Sequence, residues 1–309
     1  MTGILNLNKP AGMTSHDVVA RVRQILGQKR VGHGGTLDPG ASGVLIILVG
    51  AATRLAEFAA AEDKQYRFEV IFGLQTDSLD ADGKVLRDEP AGAIRPEAIR
   101  GILARLTGDV EMVPPMFSAV HHRGERLYEL ARRGVTVERE PRRVRVDSLR
   151  LSEFTPDPSH PRAVFDAICS KGTYVRSLAQ MIAEQLGTVA CVAELVRTRV
   201  GSFRIEEAVS PDELATRAAK DGPAAVLLPA DRVVAHLPAV RLGPKQALAV
   251  SSGQEGRAAG ERELNRGALV RAYVEYGQFF AIAAVVKTGN DELFVAPRKV
   301  LRDLRRKKR

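Results

Sequence analysis

Polar and apolar positions change period repeatedly along the first 75 residues. Ile4, Leu5 and Leu7 open a short strand that Pro10-Ala11-Gly12 ends. Val18, Val19, Val22, Ile25 and Leu26 then share one face at helical spacing. Thr14, with Asp17 three residues on, supplies a capping box for that helix, and Gly27 its C-terminal stop. The unbroken apolar run 44–49 predicts a buried strand, followed by a helix near 52–61. Alternation over 64–72 predicts a half-buried strand.

Downstream, residues 76–88 are rich in acids around Gly83 and read as a solvated loop. Pro96 opens a helix through Leu106 that Gly108 terminates, and Pro114-Pro115 break the chain. A short helix over 125–133, strands near 144–151 and 163–169, and a helix from Val175 closed by Gly187 follow. Ser210-Pro211-Asp212-Glu213 combines cap, proline at the first turn and capping-box acid. Near Pro229 to Pro238 the character changes. Short strands at 268–276, 278–286 and 292–296 predict a small all-β module, and a basic tail spans 298–309.

Composition narrows the class. With 45% hydrophobic and 27% charged residues the chain is ordinary for a soluble globular protein. Its longest apolar run is too short to cross a bilayer, and its first residues lack an export-signal pattern, so a cytoplasmic, membrane-free protein is expected. Two cysteines, Cys169 and Cys191, exclude a disulfide framework and a cysteine-only zinc site. The six histidines show no metal-ligand spacing, and no metal is expected. A net charge of +9, carried mostly by arginine, points to a polyanion, most simply a nucleic acid. Arginines crowd residues 121–150, where a merely solvated face is the competing explanation. No dinucleotide fingerprint, Walker motif or serine triad is present.

One stretch concentrates the candidate chemistry: Gly32-His33-Gly34-Gly35-Thr36-Leu37-Asp38-Pro39-Gly40-Ala41-Ser42-Gly43. Asp-Pro-Gly is an ordinary turn signal. The same glycines also leave a carboxylate with no bulky neighbour to shield it, as a nucleophile or acid requires. Arg176, at a helix start just after a strand, is placed either to pair with Asp38 or to sit on the surface.

This stretch closely resembles the signature of the TruB family, bacterial tRNA pseudouridine 55 synthases. Asn8 to Ser15, Lys64-Gln65-Tyr66 with Gly73 to Asp80, Pro114 to Ala119 with Gly124 to Arg132, Cys169 to Leu178, and Leu195 to Phe203 resemble further family blocks in order. The resemblance spans nearly all of the first 205 residues.

It implies an isomerase that detaches uracil from ribose in the T loop of transfer RNA, rotates it and rejoins it through carbon, after flipping the base out. On this resemblance Asp38 is the catalytic nucleophile, attacking either the base or the anomeric carbon. Arg176 pairs with it, Tyr66 stacks on the base, Leu195 walls the pocket, and His33 and Tyr174 contact substrate. Lys9, Lys64, Arg123, Arg126, Arg132, Arg142 and Arg143 are the expected RNA contacts, and no cofactor is implied.

The implied fold is α+β: a mixed, largely antiparallel sheet with flanking helices over 1–235, with an RNA-clamping insertion about 116–150. A PUA-like β module that reaches the acceptor stem would fill 236–297, in a monomer. Asn8, and His121-His122 in the insertion, depart from the family pattern. A non-catalytic tRNA chaperone using the same basic surfaces is the alternative, and a hydrolase of the N-glycosidic bond a weaker one, since no motif supplies the second carboxylate it would want.

Overall fold

Alternation along the first strands sets the layers. Leu5 and Leu7 on Gly3–Lys9, with Leu45, Ile47 and Val49 on Ser42–Val49, enter one core; Ile4, Val44, Ile46 and Leu48 enter another on the opposite face. In the computed structural model, which describes residues 1–260, 264–275, 277–289, 292–302 and 304, these strands belong to a nine-stranded sheet. Its main path runs Gly3–Lys9, Ser42–Val49, Ala190–Val200, Lys64–Phe72, Arg162–Cys169, Arg142–Thr155, Gly108–Met112. Only the pairing of Ala190–Val200 with Ser42–Val49 is parallel in this sheet. The sheet is thus mixed and largely antiparallel, as expected.

Helices cover both faces. Ser15–Leu26 packs with Pro211–Asp221 on the Leu5 side, through Val18, Val22, Leu214 and Ala218. Both helices carry the capping boxes read from the sequence, and Gly27 ends the first in the left-handed conformation. Each cap contributes about 1 kcal/mol by satisfying otherwise orphaned amides. Pro96–Leu103 and Val175–Gln185 pack on the far half of the sheet, around Phe68, Phe72 and Phe165.

The C-terminal module is a closed five-stranded barrel built from Ala239–Leu242, Gly256–Gly260, Glu292–Val300, Phe279–Gly289 and Leu269–Val274, as a PUA-like domain requires. It does not hang free. Ile282 enters the core that holds Ile4, Ala52 and Leu55, Lys299 pairs with Glu57 at 2.8 Å, and Arg54 donates to the Val300 carbonyl. Tyr273 donates to Asp231 at 2.7 Å across the connecting segment.

Several expectations need correction. The 52–61 helix is a 3-10 turn, Gly50–Leu55, followed by a short helix, Ala56–Ala61. The acidic 76–88 loop is a hairpin of Leu74–Thr76 and Val85–Asp88 whose tip folds back on the sheet. Residues 298–300, read as the start of a basic tail, complete a barrel strand; 303 and 305–309 lie outside the described residues. The strands Ala190–Val200, Ala239–Leu242 and Gly256–Gly260 and the helix Pro244–Ser251 had no clear period in the sequence.

Candidate active site

The glycine loop leaves the strand Val31–His33 and re-enters the sheet at Ser42. Two glycines are required by close approach. A Cβ on Gly34 would fall 2.4 Å from that of Ala59, and one on Gly43, at φ +107°, would fall 2.3 Å from the Arg197 carbonyl. Between them the backbone is pinned by side chains remote in sequence. Ser15 Oγ accepts from Leu37 N at 2.9 Å and donates to Leu37 O at 3.1 Å. Lys9 Nζ donates to the Pro39, Pro10 and Met13 carbonyls at 3.1, 2.9 and 2.6 Å. Gly12 N also donates to Pro39 O at 2.8 Å.

Asp38, held in this way, meets Arg176. The guanidinium Nη2 lies 2.8 Å from Asp38 Oδ2, with the arginine side chain 5% and the aspartate 39% exposed. Arg176 is itself fixed by donation to Ser78 O at 2.8 Å and Phe117 O at 2.9 Å, and stands 3.7 Å from Asp80 Oδ2. Asp80 receives the Ser78 hydroxyl at 2.6 Å, and burial pushes its carboxyl above the usual carboxylate range. One buried cation therefore sits between two carboxylates, only one of them on the glycine loop.

A cavity of about 270 Å³ opens beside Asp38, lined also by Tyr66, Tyr174, Leu195, Lys64 and Arg197. It lies below the range of about 300–1,000 Å³ common for drug-sized ligands, a size suited to one base. Burial raises the Tyr66 and Tyr174 phenols above their ordinary values, so both are neutral donors at neutral pH. An outer groove of about 660 Å³ shares Asp38 and Arg176 and is rimmed by His16, Arg126, Tyr128 and Arg132. Arg126 and Arg132 lie over the Tyr128 ring at 5.9 and 5.5 Å.

The sequence-predicted residues thus divide. Asp38, Tyr66, Tyr174, Arg176 and Leu195 converge. His33 stands apart, edge-on to His16 with ring centroids 5.4 Å apart; burial lowers its pKa. Arg123 and Arg142 face a separate cavity of about 750 Å³ with His121 and His122, and Arg143 pairs with Asp109 at 2.8 Å. Lys9 and Lys64, expected as RNA contacts, are buried: Lys9 is 0% and Lys64 7% exposed, Lys64 donates to the Ala60 and Glu62 carbonyls, and of the two only Lys64 lines the base-sized cavity. Burial brings both ammonium groups down to about 8.

Asp80 and Arg197 were missed. Arg197 carried a signal, since it follows Leu195 by two residues and such positions share a strand face. Asp80 carried none. Among the described residues no three His, Cys, Asp or Glu side chains converge on a metal position, and no helix is long and apolar enough to cross a membrane.

A carboxylate clamped by a buried arginine thus stands beside a base-sized cavity lined by two tyrosines, with an outer groove that carries both arginines and aspartates. Comparison with known proteins identifies the class. Residues 23–175 match the N-terminal domain of TruB family pseudouridylate synthases, and residues 176–235 the C-terminal domain of tRNA pseudouridylate synthase B. The second match ends before the barrel.

A tRNA pseudouridine synthase B from Moorella thermoacetica is 42% identical over 97% of this chain and 99% of its own. That of Symbiobacterium thermophilum is 49% identical over 81% and 82%. The chain belongs to the TruB family of pseudouridine synthases. Among solved structures, a Cbf5-Nop10-Gar1 complex aligns with a TM-score of 0.75 at 26% identity, covering 97% of this chain and 85% of that one. An H/ACA RNP bound to a substrate RNA containing 2'-deoxyuridine aligns at 0.71 and 25% identity, covering 97% and 85%.

Proposed function

We propose that this enzyme converts uridine to pseudouridine at position 55, in the T loop of tRNA, with Asp38 as nucleophile. The observation that carries the reading is the 2.8 Å contact between Asp38 and Arg176 at a cavity lined by Tyr66 and Leu195. The target uridine is flipped out of the loop, which costs a few kcal/mol of unstacking repaid by the pocket. Tyr66 stacks on the base and Leu195 confines it. Arg176 engages one oxygen of Asp38, orienting the other towards the base or the anomeric carbon. The N1–C1' bond breaks, the base rotates, and C5 bonds to C1'. C5 then gives up its proton and N1, freed from C1', takes one up, so the product has the mass of the substrate.

Outside the cavity, Arg126, Arg132 and Tyr128 contact the splayed loop, where guanidinium planes and aromatic rings suit unstacked bases and phosphates. Arg123, Arg142 and Arg143 extend the basic surface, and His33 contacts the loop from the other side. The enzyme works as a cytoplasmic monomer, with the barrel reaching the acceptor stem.

A T-loop transcript tritiated at uridine C5 tests the reading. Wild type releases tritium from one uridine and Asp38→Asn releases none. Free uracil among the products would instead mark a hydrolase, and undiminished release by Asp38→Asn would sink the assignment.

A further inference from the structure

Arg197 is 2% exposed and, among the described residues, takes part in no ion pair, an expensive burial for a permanent charge. What it does have is three backbone carbonyls and a side-chain hydrogen bond with Tyr66. Its Nε donates to Val44 O at 2.8 Å, Nη1 to Thr36 O at 3.1 Å and Nη2 to Gly35 O at 3.3 Å. Gly35 and Thr36 immediately precede Leu37-Asp38, in a stretch with no ladder of its own. Gly43 closes the other end of the loop against the Arg197 carbonyl. Across the sheet, Arg197 is the direct register partner of Tyr66, and it lines the same cavity as Asp38. A rigid planar fork satisfies several acceptors in a fixed geometry, which an ammonium on a flexible stem does not.

We infer that Arg197 is a positioning residue: its guanidinium holds the Gly35-Thr36 backbone against the strand that carries Tyr66, so that the Asp38 carboxylate and the stacking ring meet one base in one geometry. It touches no reacting atom and acts through the loop. The inference rests on Asp38 being the nucleophile. Its consequence is specific: loss of the fork slows the chemical step while RNA binding, made by the outer groove, persists. Displacement of a reacting group by about 1 Å costs on the order of 10²-fold in rate.

The test is single-turnover conversion of a T-loop transcript by Arg197→Lys and Arg197→Gln. Enzyme is kept in saturating excess, so that only folded, RNA-bound protein contributes, and affinity is measured on the same samples. Lysine keeps the charge without the fork; glutamine keeps a donor without the charge, in case a buried ammonium is not tolerated. The expected result is a rate lower by about 10²-fold with affinity changed less than about twofold. Full rate with lysine would show that charge alone suffices and would overturn the inference. So would rate and affinity falling together, or the failure of both variants to bind RNA, which would make Arg197 a determinant of folding. Asp38→Asn, run in parallel, separates the two readings. If it is active, the nucleophile assignment fails; if it is inactive while both Arg197 variants match wild type, only the positioning role fails.

Discussion

The glycine loop and the part of the 116–150 insertion that precedes the strand Arg142–Thr155, a short hairpin and the helix Leu127–Arg132, lie beside the same cavity and are held in different ways. The loop is fastened from beneath by buried side chains: Arg197 and Ser15 hold the residues before Asp38, and Lys9 the one after it. The insertion buries Leu127 and Leu130, but its charged side chains are paired at the surface. Arg133 pairs with Glu125 at 2.7 Å with both side chains about half exposed, and Tyr128 is flanked by Arg126 and Arg132 in solvent. Exposed pairs contribute roughly 0–1 kcal/mol, whereas orphaning a buried acceptor costs about 1–3 kcal/mol. The first segment is therefore built to keep one geometry and the second to adapt, which suits a nucleophile on one and a variable RNA contour on the other. They meet at Phe117, whose carbonyl accepts from Arg176 at 2.9 Å.

Substitutions can break this comparison. The largest stability effect is expected for Lys9→Met, which strips the donor from the Pro10, Met13 and Pro39 carbonyls at once. Urea unfolding should show a loss of about 3 kcal/mol, the scale of an orphaned buried group. That loss depends on pH with a definite sign. Lys9 titrates near 8 in the folded chain and at 10.5 when exposed, so the unfolded chain binds more protons between those values. Wild-type stability from this group rises across that window, and the gap to Lys9→Met should widen from pH 8 to 10.5. A narrowing gap would contradict the burial of Lys9.

Ser15→Ala comes next, at about 1–2 kcal/mol by the same measurement, since it removes both hydrogen bonds to Leu37. On the other side of the comparison, Arg126→Gln with Arg132→Gln should leave stability within about 0.5 kcal/mol. RNA binding should weaken, and the slope of log affinity against log salt should flatten by about one for each phosphate that is no longer neutralised. An unchanged slope, measured by filter binding at several salt concentrations, would make these arginines solvated surface. The smallest effect is Arg133→Ala, under about 0.5 kcal/mol in the same urea titration. If it cost as much as Ser15→Ala, the contrast between the two segments would fail.

Much of this was legible because it is local. The Thr14-Asp17 and Ser210-Glu213 boxes lie within one turn of chain, and the 64–72 alternation states its own buried face. Asp38 was legible as a glycine-flanked carboxylate, although turn and nucleophile read alike until Arg176 was brought to it. What escaped depends on contacts between distant segments. Asp80 looked like one acid among several in a solvated loop. It enters the site only because Ala81 and Leu79 bond to Val192 at 2.9 and 3.0 Å, with Leu79 forced to φ +63°. Lys9 read as an RNA contact because lysine is rarely buried whole; two of its three carbonyls, of Pro10 and Met13, are local, but the third, of Pro39, comes from a loop that sequence spacing does not join to it. The barrel strands at 239–242 and 256–260 are short and poor in β-branched alternation, and closure of the barrel rather than propensity makes them strands.

The central claim is that the loop presents Asp38 for chemistry while the outer groove binds RNA. Measuring affinity and single-turnover conversion of one T-loop transcript by Asp38→Asn tests it most directly. The account predicts affinity within about twofold of wild type and no conversion. Conversion at the wild-type rate would contradict it.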